Sequence, residues 1–159
     1  MIDQMILQHG AAANERAGAR QRFAGTEASL YFGSGYAANL GLLTSLVGKD
    51  DVVFSDELNH ASLIDGMRLT GAKRVIYPHL DLNALEAALR QDSGAPWRKA
   101  IVTESVFSMN GDVAPLRDMI ELAEKYGAVL IVDEAHATAV HGPRAVSYTH
   151  LTLPTKRIV

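Results

Sequence analysis

The sequence predicts an α/β fold built on a doubly wound, mostly parallel sheet with flanking helices. Three observations support this prediction. Short β-prone runs alternate with longer helix-prone runs, a glycine-rich turn joins one strand to the helix that follows it, and the last apolar run ends at an aspartate. Alternating strands and helices are typical of parallel βαβ units, because a crossover helix is needed to bring the next strand alongside in the same direction.

Five β-prone and five helix-prone runs form the predicted order. The predicted strands cover residues 28–32, 51–54, 74–77, 99–103 and 128–132, and the predicted helices cover residues 11–24, 36–47, 61–69, 82–90 and 115–126. The first helix is rich in good helix formers and closes at Gly25, as a C-terminal cap would. Ligands of such sheets bind at the carboxyl ends of strands, so we expect the chemistry in the segments that follow them. Those segments are residues 33–36, 104–108 and 133–136.

Composition excludes several classes of function. The chain has 159 residues, of which 48% are apolar and 21% charged, as expected for one globular domain with a core of its own. A net charge of −3 offers no basic surface for nucleic acid or for an anionic membrane. There is no cysteine to form a disulfide, a thiolate nucleophile or a zinc ligand. The first ten residues lack the features of a signal peptide, so we expect a cytoplasmic protein.

The glycine-rich turn has two interpretations. Gly33-Ser34-Gly35 between a strand and a helix lets backbone N–H groups and the helix N-terminus face an anion such as a phosphate. A plain connection between strand and helix fits equally well. The turn lacks the third glycine of a dinucleotide-binding fingerprint, because Ala37 and Ala38 follow where that glycine is needed. It also does not have the spacing of a P-loop.

The run Asp-Glu-Ala-His at residues 133–136 follows a continuous apolar strand and fits two mechanisms. One is the Mg²⁺-binding acidic motif of a helicase-type NTPase. The other is an aspartate that keeps the pyridine nitrogen of pyridoxal phosphate (PLP) protonated, with the histidine near the phenolic oxygen of the ring. The NTPase needs a partner P-loop, but the one Gly-Lys pair, Gly48-Lys49, ends a helix and is followed by Asp50 instead of a hydroxyl residue. The sequence therefore excludes the NTPase.

Two further residues are candidate cofactor contacts only when they are considered together with the other motifs. His60 lies between a strand and a helix, where it could stack on a planar ring or simply cap the helix. Ser108 lies in a loop, where a hydroxyl is usually structural and sometimes binds a cofactor. No two histidines have the i, i+4 spacing of a helical metal site, so we expect no bound metal.

Together these segments resemble the α-oxoamine synthase family of PLP-dependent enzymes. Four stretches carry the resemblance, in the order and spacing of the family and across about three quarters of the chain. They are GTEASLYFGSGYAANLGLL, FSDELNHASLIDGMRL, TESVFSMNGDVAPL and VLIVDEAHATAVHGP. The resemblance implies part of a PLP fold-type-I large domain at residues 1–144, followed by a non-matching tail at residues 145–159.

The resemblance also implies a role for each candidate residue. The backbone at Gly35 and Tyr36 would bind the cofactor phosphate, and His60 would stack on the pyridine ring. Asp133 would pair with the pyridinium nitrogen, with Glu104 nearby as support. His136 and Ser108 would hydrogen-bond the phenolic oxygen. In this scheme the catalytic residues are His60, Asp133 and His136.

Members of this family condense an amino acid with an acyl thioester and release carbon dioxide. The resemblance implies alanine and a pimeloyl thioester, carried by CoA or by a carrier protein, in biotin biosynthesis. Glycine with acetyl-CoA is the alternative within the family, and a non-catalytic PLP-binding fragment is the alternative outside it. The family also implies a homodimer.

One expected residue is missing. The Schiff-base lysine of the family lies well beyond the Asp-x-Ala-His motif and matches no position in this chain. Lys156 follows too closely after Asp133 and stands in the non-matching tail, so we do not assign it that role. We therefore expect this polypeptide to be a fragment that is inactive by itself.

Overall fold

The computed structural model describes residues 5–9, 28–92, 98–138 and 140. The predicted helix at residues 11–24, the tail at residues 145–159 and Lys156 lie outside this part of the chain. The elements are β1 (Met5–His9), β2 (Ala28–Phe32), α1 (Gly35–Leu46), β3 (Val52–Asp56), α2 (Ala61–Thr70), β4 (Lys73–Tyr77), α3 (Leu82–Gln91), β5 (Lys99–Glu104), α4 (Leu116–Tyr126) and β6 (Ala128–Asp133).

Four strands form a fully parallel sheet in the order β4-β3-β5-β6. This confirms the predicted α/β class. β3 and β5 are central and buried at every position, as expected for strands covered on both faces. β4 lies at one edge and exposes Lys73, Arg74 and Ile76.

Helices cover both faces of this sheet, so it is doubly wound. On one face α1 and α2 pack on Val53, Val102 and Ile131. On the other face α3 and α4 pack on Phe54, Tyr77 and other side chains of the opposite set. The alternation along β3, where Val53 faces one layer and Phe54 the other, follows from the two-residue period of a strand.

The strand at residues 28–32 was predicted correctly, but its partner was not. We expected it to be one of five strands of a single sheet. It instead pairs in parallel with β1, with Met5 opposite Ala28, in a separate two-stranded sheet. The sequence analysis assigned no strand to residues 5–9. A five-residue strand with a single neighbour carries too weak a pattern to be detected without that neighbour.

Two helix ends show how local sequence sets the element boundaries. α2 ends at Gly71 and α4 at Gly127, and both glycines have the left-handed backbone that caps a helix, with φ of 71° and 64°. α1 begins after Ser34, whose hydroxyl accepts a hydrogen bond from the Ala37 N–H at 3.0 Å.

No helix within the described residues is long and apolar enough to cross a bilayer.

Candidate functional site

The carboxyl ends of β5 and β6 place two acidic side chains side by side. Glu104 and Asp133 are partners in the β5–β6 register. Glu104 is 1% exposed. Burial raises the pKa of its carboxyl above the ordinary value, and the negative charge of Asp133 adds to the increase, although N–H groups of His60 and Ser108 oppose it. The Glu104 carboxylate accepts the His60 backbone N–H at 2.6 Å, which joins the end of β5 to the start of α2.

Asp133 is held in one orientation by three residues. Its Oδ1 accepts the Ala135 N–H at 2.9 Å, and its Oδ2 accepts a hydrogen bond from Asn39 Nδ2 at 2.7 Å. Its backbone carbonyl accepts the Ser105 N–H at 2.9 Å. The carboxylate is only partly buried, so a bound group can still reach it.

Asn39 connects Asp133 to His60 through Ser62. The second hydrogen bond of Asn39 Nδ2 goes to Ser62 Oγ at 2.8 Å. Ser62 Oγ lies 2.7 Å from His60 Nδ1, and the Ser62 backbone N–H also points at Nδ1, at 3.2 Å. His60 is thus the N-cap residue of α2. The cap anchors one edge of an exposed imidazole ring and leaves the rest of the ring accessible.

The N-terminus of α1 lies close to this network. Gly35 and Tyr36 form its first turn, and Asn39 is four residues after Gly35, which is about 6 Å along a helix axis. The Tyr36 hydroxyl donates a hydrogen bond to Asp65 of α2. This bond raises the pKa of Tyr36 and lowers the pKa of Asp65, whose carboxylate also accepts from Arg68.

The structure therefore brings together most of the predicted site residues. A direct hydrogen bond joins His60 to Glu104, and three hydrogen bonds in series, through Ser62 and Asn39, join His60 to Asp133. Gly35 and Tyr36 lie about one helical turn from Asn39. Ser108 contributes its backbone N–H to Glu104, while its side chain is exposed. His136 is exposed in the turn that follows β6. No bond between His136 and Ser108 is present in the described part of the chain.

The sequence analysis missed Asn39 and Ser62. Asn39 stands inside α1 and is 9% exposed, and Ser62 is in the first turn of α2 and 1% exposed. A buried asparagine in a helix interior was an available signal, because its amide must find partners. The partners themselves are 23 and 94 residues away, and no local pattern points to them.

Comparison with known proteins identifies the family. The sequence model of the aminotransferase class I and II family matches residues 5–156. The chain belongs to this family. It is 58% identical over 121 residues to an 8-amino-7-oxononanoate synthase of Citrifermentans bemidjiense, an alignment that covers 76% of this chain and 31% of the relative.

Solved structures of α-oxoamine synthases share the fold. A serine palmitoyltransferase from S. paucimobilis, solved with PLP bound, superposes with a TM-score of 0.84 at 35% identity, over 91% of this chain and 37% of that one. The 8-amino-7-oxononanoate synthase of Francisella tularensis gives a TM-score of 0.73 at 28% identity, over 91% and 41%. The chain spans about a third of the length of the curated relatives it matches. These relatives are PLP-dependent acyltransferases, which confirms the predicted family and cofactor.

The residues of this aminotransferase-family chain fit PLP. The cofactor has an anionic phosphate at one end and a basic pyridine nitrogen in its ring. The first turn of α1 would offer backbone N–H groups to the phosphate, and the Asp133 carboxylate would accept a hydrogen bond from the protonated nitrogen. Asn39 links these two features within a single structural unit. The described residues contain no cluster of three or more His, Asp or Glu side chains able to hold a metal ion.

A second polar cluster lies at the end of β3. Asp56 is 2% exposed and accepts hydrogen bonds from the Leu58 N–H, the Leu80 N–H and His79 Nδ1, all at 2.9 Å. His79 Nε2 lies 3.1 Å from Asp112. Burial alone would lower the pKa of His79, but the two carboxylates outweigh it and raise the pKa above the ordinary value.

This cluster supports the loop that carries Ser108. Residues 105–114 fold back on themselves through an antiparallel bridge between Val106 and Val113. His79 anchors that loop twice, because it bonds to Asp112 and its ring meets Phe107 edge-on at 4.5 Å between centroids. Both oxygens of the buried Asp56 carboxylate accept hydrogen bonds from protein groups, so we assign this cluster to structural support.

Proposed function

We propose that this chain is the cofactor-binding part of an 8-amino-7-oxononanoate synthase. In the proposed reaction, alanine condenses with a pimeloyl thioester of CoA or of a carrier protein, and carbon dioxide leaves, as a step of biotin biosynthesis. The observation that carries the proposal is the Asp133 carboxylate, held by Asn39 one helical turn from the N-terminus of α1. The choice of substrates is supported by the 58% identity to a relative of that name.

We propose these roles for the site residues. The backbone at Gly35 and Tyr36 binds the phosphate, with the partial positive charge of the helix N-terminus behind it. Asp133 accepts a hydrogen bond from the pyridinium nitrogen. His60 stacks on the ring with its exposed face. The remaining roles fall to His136 and Ser108, which hydrogen-bond the phenolic oxygen, and to Glu104, which holds the His60 backbone.

When bound, PLP supplies an electron sink for the carbanion that forms at the α-carbon of the amino acid. The chain contributes by stabilising charge and by fixing orientation. The Asp133 carboxylate keeps the proton on the ring nitrogen, and so keeps the sink effective. The Glu104 carboxylate accepts the N–H groups of His60 and Ser108, so one buried acid aligns two proposed cofactor contacts from different loops.

A glycine C-acetyltransferase is the second candidate, because the segment Asn59–Asp65 suits that enzyme as well. The structural likeness to a serine palmitoyltransferase makes serine a third amino acid worth testing. In the full-length protein that contains this chain, we expect carbon dioxide release with alanine and pimeloyl-CoA, and little with glycine and acetyl-CoA or with serine and palmitoyl-CoA. Preference for glycine and acetyl-CoA would overturn the proposed substrates but not the cofactor.

Binding of PLP tests the proposed site directly. We expect the purified 159-residue chain to shift the absorbance band of added PLP without turning over substrates. We propose Asp133→Asn as the diagnostic variant, with Asp118→Asn on the exposed surface of α4 as its control. Asp133→Asn should weaken PLP binding by roughly tenfold or more, because a charged hydrogen bond is lost. An unchanged affinity would remove the basis for the proposed site.

We further propose that the full-length protein is a cytoplasmic homodimer. The dimer in this proposal rests on the family alone. Sedimentation of the full-length protein would test the dimer.

A further inference from the structure

We propose that Asn39 is a positioning residue that sets the arrangement of protons between Asp133 and His60. The effect on PLP binding rests on the proposed function, whereas the hydrogen-bond arrangement does not. Asn39 Nδ2 carries two hydrogens, and the structure uses both, one toward Asp133 Oδ2 at 2.7 Å and one toward Ser62 Oγ at 2.8 Å. The amide is buried, so it does not exchange these partners for bulk water.

The direction of each hydrogen bond follows from which groups can donate. An ionised carboxylate only accepts, so the atom of Asn39 that faces Asp133 must be the NH₂ group. The same nitrogen then donates to Ser62 Oγ and occupies one of its lone pairs. The hydroxyl hydrogen of Ser62 is left to donate to His60 Nδ1, 2.7 Å away.

A second donor fixes the imidazole. The Ser62 backbone N–H points at the same Nδ1 atom at 3.2 Å, as the N-cap of α2 requires. A hydrogen on Nδ1 would meet both of these donors. The ring hydrogen of neutral His60 is therefore on Nε2, the atom directed away from the network.

This arrangement has a consequence for a stacked cofactor. With Nδ1 occupied by the two Ser62 donors, the His60 ring presents a single tautomer, whose remaining donor is Nε2–H, to a cofactor that would stack on its exposed face. Asp133 meanwhile presents Oδ2 in a fixed direction, because Asn39 and the Ala135 N–H hold its two oxygens. Asn39 thus links both contacts to α1, the helix whose first turn is proposed to bind the phosphate.

Nitrogen-15 NMR of the His60 ring in the cofactor-free chain tests the geometry. We expect the wild-type chain to show a protonated Nε2 and an unprotonated Nδ1. In Asn39→Ala the Ser62 oxygen is free to accept, so a measurable Nδ1–H population should appear. Asn83→Ala, at an exposed position of α3, is the matched control and should leave the ring unchanged. A wild-type ring protonated on Nδ1 would overturn the inference even if no variant folds.

Affinity for PLP distinguishes the hydrogen bond from Asn39 to Asp133 from the hydrogen bonds that run from Asn39 through Ser62 to His60. Asn39→Ala removes a hydrogen bond to a carboxylate and should weaken PLP binding by roughly ten- to a hundredfold. Ser62→Ala leaves the bond between Asn39 and Asp133 in place, so its affinity should stay within a few-fold of wild type while the His60 tautomer bias weakens. Equal losses in the two variants would refute a separate role for Asn39. If the chain shows the expected tautomer but binds no PLP, the proposed function fails and the proton arrangement stands.

Discussion

The close contact between α1 and α2 makes Gly66→Ala a sharp test of the packing that supports the site. A Cβ atom at Gly66 would lie 2.7 Å from Leu43 Cδ1 and 3.2 Å from the backbone oxygen of Asn39. Contacts below 3.0 Å do not persist, so either the Leu43 side chain must turn or one of the two helices must move. Leu43 is fully buried in one cluster with Val53 and Leu63, so a turn of its side chain would disturb that packing.

The change in the free energy of unfolding caused by Gly66→Ala is the difference between two opposing effects. Overpacking of a dense core costs about 1–3 kcal/mol. Alanine in place of glycine inside a helix returns about 0.5–1 kcal/mol. The two effects differ by about 0–2.5 kcal/mol. Because the contact to Leu43 is as short as 2.7 Å, we expect a loss in the upper part of that range, about 1–2 kcal/mol in the free energy of unfolding, or roughly 2–8 °C in melting temperature for a domain of this size. Displacement of α1 should also lengthen the bond from Asn39 to Asp133 and weaken PLP binding.

Urea denaturation of wild type and variant measures the loss, with Gly48→Ala as the matched control. The nearest atom to a Cβ at Gly48 is Asp51 Oδ2 at 3.8 Å, an ordinary contact, so this variant should be neutral or slightly stabilising. If Gly66→Ala is as stable as Gly48→Ala, then the two helices are not packed as described. If it is less stable but binds PLP normally, then α1 does not transmit its position to Asp133.

Three further predictions concern protons and the tail. The pKa of His79 is higher in the folded chain than its unfolded value of about 6.5, so protonated His79 stabilises the fold fully below that value. This stabilisation is lost as the pH rises through the folded pKa. His79→Gln should therefore reduce the pH dependence of the urea midpoint between pH 6 and 9. The pKa of the buried Glu104 is also raised, so its contribution to the free energy of unfolding likewise declines as the pH rises, starting at a lower pH than that of His79. Glu104→Gln should reduce this decline between pH 5 and 7. An unchanged pH profile of stability would contradict the raised pKa of Glu104. Borohydride reduction of the 159-residue chain with PLP should label no lysine specifically, whereas a labelled peptide at Lys156 would refute our exclusion of that residue.

Most elements of the fold could be predicted because their patterns are local. The central strands are continuous apolar runs, and α4 shows a clear apolar face whose members Met119, Ile120 and Ala123 are buried. Strand pairing was harder, because it depends on residues far apart in sequence. Residues 28–32 have the same β-prone composition whether they join the main sheet or pair with Met5–His9, and only the assembled chain distinguishes the two outcomes.

Which candidate residues lie close together was predictable for residues at strand ends and not for a residue inside a helix. Glu104 and Asp133 could be found because the topology places the ends of parallel strands together. Asn39 could not, because its environment is formed by Ser62 and Asp133 from two other elements. The roles of Ser108 and His136 still come from the family alone, since both side chains are exposed.

Asp56 and Asp133 show why position alone does not identify a functional acid. Each ends a strand of the same sheet, and the argument that a strand-end aspartate needs a partner applies to both. Asp56 satisfies it within the protein, since Leu58, His79 and Leu80 all donate to its buried carboxylate, and the left-handed backbone at Leu80 (φ 57°) is part of the same turn. Among the described residues, Asp133 receives two donors at its carboxylate, and it stays partly exposed. A carboxylate that is oriented but incompletely satisfied can accept a ligand, and this distinguishes the proposed cofactor site from the structural cluster beside it.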